Sequence, residues 1–67
     1  MSVYRFVELV GTSTGSWEDA AASAIHIASK TIRDPRVAEV EKLDLQITGE
    51  QITFRAKLKV SYKVEEP

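Results

Sequence analysis

The sequence predicts an α+β fold of strand, helix, strand and strand, with one three-stranded sheet in the order 1-3-2 curled around a single helix. Three observations carry this expectation. From Ile52 to Val64 the even positions are apolar (Ile52, Phe54, Ala56, Leu58, Val60, Tyr62, Val64) and the odd ones polar or basic (Thr53, Arg55, Lys57, Lys59, Ser61, Lys63). That is the two-residue period of a strand with one face toward a core. Trp17, Ala20, Ala21, Ala24, Ile25, Ala28 and Ile32 recur at three- and four-residue spacing, the apolar stripe of an amphipathic helix. Finally, the segment before Gly49 can be laid against the segment after it with apolar residues opposite apolar ones and charges opposite their counter-charges.

The first strand spans Val3 to Val10. Val3, Val7 and Leu9 lie on one face and Tyr4, Phe6 and Val10 on the other. A sheet covered on one side only alternates more cleanly, so both sides of this strand should be covered. With one helix available, the second cover has to be another subunit. Gly11 to Ser16 reads as a loop by composition. Ser16 is placed to cap the next helix, with Glu18 and Asp19 at its positive end. Small residues before a helix can also hold an anion, but those two carboxylates would repel one.

The helix is expected from Trp17 to Arg33, ended by Pro35, with Lys30 and Arg33 complementing its negative end. Trp17 opens the stripe and is expected in the core or at a subunit contact; stacking on a planar ligand is the functional alternative. His26 lies off the stripe, with no partner near it in sequence, and reads as a surface or interface histidine rather than a proton carrier.

The second strand runs from Arg36 to Thr48, and its phase shifts: Leu43, Leu45 and Ile47 are odd but Val40 is even. A β-bulge near Glu41 and Lys42 restores one inner face. With Gly49 and Glu50 as a tight turn, Ile47 pairs with Ile52, Leu45 with Phe54, Leu43 with Ala56, and Asp44 with Arg55. Beyond the bulge Val40 pairs with Leu58, Glu41 with Lys57 and Glu39 with Lys59. A right-handed crossover places the first two strands parallel with a gap, which the third fills antiparallel to both.

Residues 1–67 are expected to form a single domain. A chain of 67 residues buries only about 60 % of its unfolded surface, so a domain of this size usually needs a staple. There is no cysteine and only one histidine, which leaves oligomerisation. The third strand, about 40 Å long at ~3.3 Å per residue, also outruns any core so small a domain could build. Its end should meet another copy. No apolar run resembles a signal peptide or a membrane span, and a cytoplasmic location is expected.

The chain resembles the dodecin family over nearly its whole length. The likeness is carried by Val-Tyr-Arg-Phe-Val-Glu-Leu-Val-Gly-Thr-Ser (residues 3–13), the Ala-rich helix, Ala38-Glu39-Val40, and Leu58-Lys59-Val60-Ser61-Tyr62-Lys63-Val64. The resemblance implies a hollow shell of twelve identical subunits that binds small ligands. In typical members, flavins stack between tryptophans from the start of the second strand while a glutamine of the third strand reaches the ring edge. The matching ligand-binding positions here are Val37 and Arg55. Valine offers no aromatic face, and arginine has no acceptor for a flavin N–H. The chain is thus similar to the tryptophan-lacking branch, some of whose members are described as calcium-binding.

The implied function is therefore a shell that binds, sequesters or stores a small ligand or ion, with flavin not expected, calcium an open candidate and the metal ligands unassigned. Glu8, Glu18, Asp19, Asp34, Glu39 and Glu41 are carboxylates that several subunits could bring together, although no Asp- and Gly-rich calcium loop occurs. The alternative is a purely structural or protein-interaction oligomer without cargo. No activated nucleophile, carboxylate pair or metal triad marks an enzyme. Arg55, Lys57, Lys59 and Lys63 line one strand face, but net charge is −1 and no aromatic residue shares that face, so nucleic acid is not an expected partner.

Overall fold

The computed structural model describes residues 2–64 and has the expected element order: β1 (Tyr4–Ser13), α1 (Trp17–Ala28), β2 (Pro35–Thr48) and β3 (Gln51–Lys63). The sheet order is β1-β3-β2, with β3 antiparallel to both neighbours. The hairpin register follows the side-chain pattern. Thr48 faces Gln51, Ile47 faces Ile52, Leu45 faces Phe54, Asp44 faces Arg55 and Leu43 faces Ala56. Past the bulge, Val40 faces Leu58 and Glu39 faces Lys59.

One predicted pair is wrong. Glu41 is the bulged residue, and Lys42 takes the place opposite Lys57. A bulge sets one residue outside the ladder. Expelling either Glu41 or Lys42 keeps Val40 opposite Leu58 and Leu43 opposite Ala56 on one apolar face, and the expelled Glu41 reaches Lys59 Nζ at 3.9 Å in place of Lys57. A second irregularity, between Pro35 and Val37, has no counterpart in the hydropathy pattern.

β1 continues three residues past Val10, so Gly11, Thr12 and Ser13 are strand rather than loop. Their backbone groups find partners along Ala56, Arg55 and Phe54 of β3, and this ladder overrides their weak local preference. Gly11 is required there because α1 crosses close by. A Cβ at this position would overlap the Ala20 carbonyl oxygen and lie 2.9 Å from both the Ala20 carbonyl carbon and the Ala24 Cβ.

The helix ends at Ala28, five residues before Arg33. The Ser29 hydroxyl donates to the Ile25 carbonyl at 2.8 Å and the Thr31 hydroxyl to that of Ala28 at 3.3 Å, side-chain competition that disfavours further helix. Lys30 and Thr31 donate their N–H groups to Ile27 and Ala28 in tighter turns. Asp34 then adopts φ 57, a left-handed conformation that aspartate tolerates better than most residues. Lys30 and Arg33 therefore lie beyond the helix, and His26 is the basic residue of its last turn.

The core is small. Ala20, Ala24, Ala56, Leu58 and Val60 are buried, with Val7, Leu9, Ala21 and Ile25 packed against them. The molecule measures 51 × 20 × 15 Å, and its radius of gyration is 13.8 Å where a compact chain of this length would have about 11 Å. The reason is a mismatch of lengths. α1, with 12 residues, spans only about 18 Å, so the distal hairpin has no cover. Leu43, Leu45, Ile47 and Ile52 remain 43–72 % exposed on the same sheet face as the core.

Candidate functional site

Val37 pairs with Ser61 across the sheet, and the Ser61 hydroxyl donates to the Val37 carbonyl at 3.4 Å. Because Val60 is buried against the helix side, Ser61 and Val37 belong to the opposite face. The Val37 side chain is exposed there. Arg55 also belongs to this face, opposite Asp44. Its Nε donates to Asp44 Oδ1 at 2.7 Å and its Nη2 to Oδ2 at 2.9 Å. This two-bond geometry is the strong form of an arginine–carboxylate contact. The hydrogen bond from Arg55 is the main cause that holds the Asp44 carboxyl below its ordinary value of 3.8, with the charges of Arg55 and Lys42 adding to it and desolvation opposing. The same contact raises the Arg55 guanidinium.

Val37 and Arg55 do not meet within one protomer. The partners of Val37 and Asp44 on β3 are Ser61 and Arg55, so the two positions are separated by about 20 Å along the strand. A ligand touching both types of position would have to lie between copies of the chain.

Trp17 is on the other side of the sheet. Its ring meets Phe54 edge-on, with centroids 5.1 Å apart at 80°, and its Nε1 donates to the Asp44 carbonyl at 3.1 Å. Within the protomer Trp17 packs as expected for a core position: the half-buried ring closes the end of the core and ties α1 to β2. Ser16 behaves as a cap, its hydroxyl accepting from the Asp19 N–H at 3.0 Å.

Most of the other charges on the outer face form ion pairs. Lys57 Nζ lies 3.5 Å from Glu8, and Lys59 Nζ lies 3.9 Å from Glu41 and over the Phe6 ring at 5.6 Å. The contacts of β1 were not legible from the hairpin pairing alone; laying β1 against β3 with Val7 opposite Val60 exposes Glu8 as a neighbour of both lysines. Asp34 pairs with Arg36 at 2.9 Å. Among the described residues Glu18, Asp19 and Glu39 form no ion pair within the protomer, and no three His, Asp or Glu side chains gather to hold a metal. His26 is exposed. No helix among the described residues is long and apolar enough to cross a membrane.

Two hollows accompany these residues. A cleft of about 370 Å³ at the proximal end collects Arg5, Arg33, Arg36 and Lys63 around Asp34 and Tyr62. A smaller cavity of about 150 Å³ on the outer face is formed by Lys42, Asp44, Arg55 and Lys57 over Val10.

The sequence profile described as Dodecin matches residues 3–65. The chain is 45% identical over 65 residues to the protein named calcium dodecin of Mycobacterium tuberculosis, covering 96% of this chain and 92% of that one. It superposes on the crystal structure of that calcium-chelating protein, described as having a novel calcium-binding site, with a TM-score of 0.87 and 42% identity over 98% of this chain and 99% of the other. Dodecin from Streptomyces coelicolor gives a TM-score of 0.90 at 33% identity over 98% and 96% of the two chains. With the profile, the sequence identity and the β-α-β-β architecture in agreement, this chain belongs to the dodecin family.

Proposed function

We propose that the chain acts as a homododecameric shell that holds a small ligand or cation between copies, and that calcium, rather than flavin, is its cargo. The supporting observation is the incompleteness of the protomer. Leu43, Leu45, Ile47 and Ile52 form an uncovered apolar face, and Val37 and Arg55 belong to separate regions of the sheet. Any pocket using such positions is completed only by assembly. The case for a cation rests on 45% identity to a protein named calcium dodecin. It is strengthened by Glu18, Asp19 and Glu39, which are left without ion pairs in the protomer. Oxygen donors from several chains are the way a hard cation reaches its usual coordination number. Flavin is disfavoured on physical grounds, because Val37 lacks a stacking ring and the Arg55 guanidinium is engaged by Asp44.

A cytoplasmic storage or buffering role follows from this reading, with no catalytic step, nucleic acid or membrane involved. Native mass spectrometry of the purified protein should give a particle of twelve chains of 7.5 kDa, and calorimetric titration should show saturable calcium binding that chelator reverses. A monomer or dimer would end the shell reading. Near-stoichiometric quenching of riboflavin fluorescence would end the reading of Val37 and Arg55.

The second reading, a structural shell without cargo, is favoured by the absence of a carboxylate cluster among the described residues. It predicts the same particle without heat from calcium.

A further inference from the structure

Charge complementarity in the sequence would put Glu41 opposite Lys57, yet the bulge seats Lys42 there. Like charges directly opposite one another in an antiparallel ladder repel. This pair lies at the cavity of about 150 Å³ whose other walls are Arg55 and Asp44, with Val10 as its apolar floor. Three cations thus surround one carboxylate in a chain of net charge −1.

The donors have capacity to spare. Lys42 forms no ion pair among the described residues, and Lys57 reaches Glu8 only at 3.5 Å, longer than a charge-assisted hydrogen bond. Arg55 uses one Nε and one Nη2 proton on Asp44, which leaves three of its five N–H groups. Its planar head is held in one orientation by the two-bond contact. A fixed guanidinium flanked by two ammonium groups matches a tetrahedral oxyanion, whose oxygens accept from several directions at once.

We propose that Lys42, Lys57 and Arg55 form a binding site for a small oxyanion such as phosphate. The anion bridges the two lysines and relieves their repulsion. Asp44 is a positioning residue that sets the direction of the Arg55 donors and, by its own charge, limits how tightly the anion is held. Because Arg55 is shared with the positions that match the family's ligand pocket, the inference rests on the shell reading, and the particle size of the protein separates failure of the one from failure of the other.

The test is calorimetric titration of the assembled protein with inorganic phosphate at low ionic strength, with light scattering to verify that each variant keeps its particle size. Wild-type protein should bind saturably. Lys42→Ala or Lys57→Ala should weaken binding by about tenfold or more, the scale of one hydrogen bond to a charged group, and Asp44→Asn should strengthen it. Phosphate should also raise the melting temperature of wild type but not of Lys42→Glu, which replaces the repulsion with an ion pair. The double variant Arg5→Ala/Lys63→Ala, in the larger proximal cleft, should bind as wild type does. The proposal is overturned if phosphate gives no saturable heat, if the lysine variants bind unchanged, or if the loss appears in the Arg5/Lys63 variant instead.

Discussion

Replacing Gly11 with alanine probes the close approach of α1 to β1. The new methyl would sit 2.9 Å from the Ala24 Cβ and the Ala20 carbonyl carbon, whereas ordinary contact begins at 3.4 Å. Ala24 must therefore retreat by about 0.5 Å, and the Ala20 carbonyl oxygen, in outright overlap, by more. Neither obstacle is the loose end of a flexible side chain, so α1 has to lift from β1 as a unit. Lifting it opens gaps around Ala20 and Ala56, both fully buried, in a core with no spare apolar contacts. Overpacking of this kind costs roughly 1–3 kcal/mol, and a backbone obstacle places Gly11→Ala at the upper end. Urea unfolding followed by Trp17 fluorescence, at fixed protein concentration because assembly couples to stability, measures the loss. Gly49→Ala is the control: Gly49 has φ +60 with nothing within 4 Å, so only the left-handed backbone penalty of about 1–2 kcal/mol applies. Gly49→Asn should recover part of that loss, whereas no substitution with a side chain should rescue position 11. If Gly11→Ala unfolds at the same urea concentration as wild type, the reasoning about this helix–strand contact is wrong.

Other consequences are open to measurement. Because the Asp44 carboxyl is held below 3.8 in the folded chain, its contact with Arg55 stabilises the fold above that pH and fades as pH falls through the lowered folded value; Asp44→Asn should therefore melt lower than wild type at pH 7, and the gap should narrow in strong acid. A gap unchanged by pH would mean that the carboxylate charge is irrelevant. Trp17→Phe keeps the edge contact with Phe54 but removes the indole N–H donated to Asp44, for a loss of about 0.5–1.5 kcal/mol in thermal or chemical unfolding; a larger loss would show that the indole packs more than it bonds. Ile47→Lys alters a side chain already 72% exposed in the protomer, so light scattering should report a smaller particle, and the melting temperature should fall with the loss of assembly. Retention of the full particle would exclude the distal hairpin from the contacts between copies.

The hairpin shows how much a single sequence can settle. Asp44 against Arg55, Leu45 against Phe54 and the extra residue near Glu41 were all legible, because strand side chains alternate strictly and a slip of one position would turn every apolar residue outward. Other features were hidden for identifiable reasons. Gly11-Thr12-Ser13 looks like a loop because its own propensities are poor, and only the partner strand β3 extends it. The Trp17 to Ile32 stripe continues past the point where Ser29 and Thr31 turn their hydroxyls onto helix carbonyls, a local hydrogen-bond competition that hydropathy does not register. Val37 and Arg55, the positions that match the family's ligand pocket, were legible as residue types, and the pairing with β3 sets them about 20 Å apart within one protomer.

Alone, the order of amino acids determined the topology, the hairpin register and the excess of apolar surface over one short helix, because each follows from periodicity along the chain. Tertiary structure decided which residue the bulge expels, and hence that Lys42 rather than Glu41 confronts Lys57. It also decided how near α1 comes to Gly11 and that the Asp44 carbonyl receives Trp17 while its carboxylate holds Arg55. These outcomes depend on contacts between elements remote in sequence, where close packing and hydrogen-bond geometry choose among arrangements that periodicity leaves equivalent.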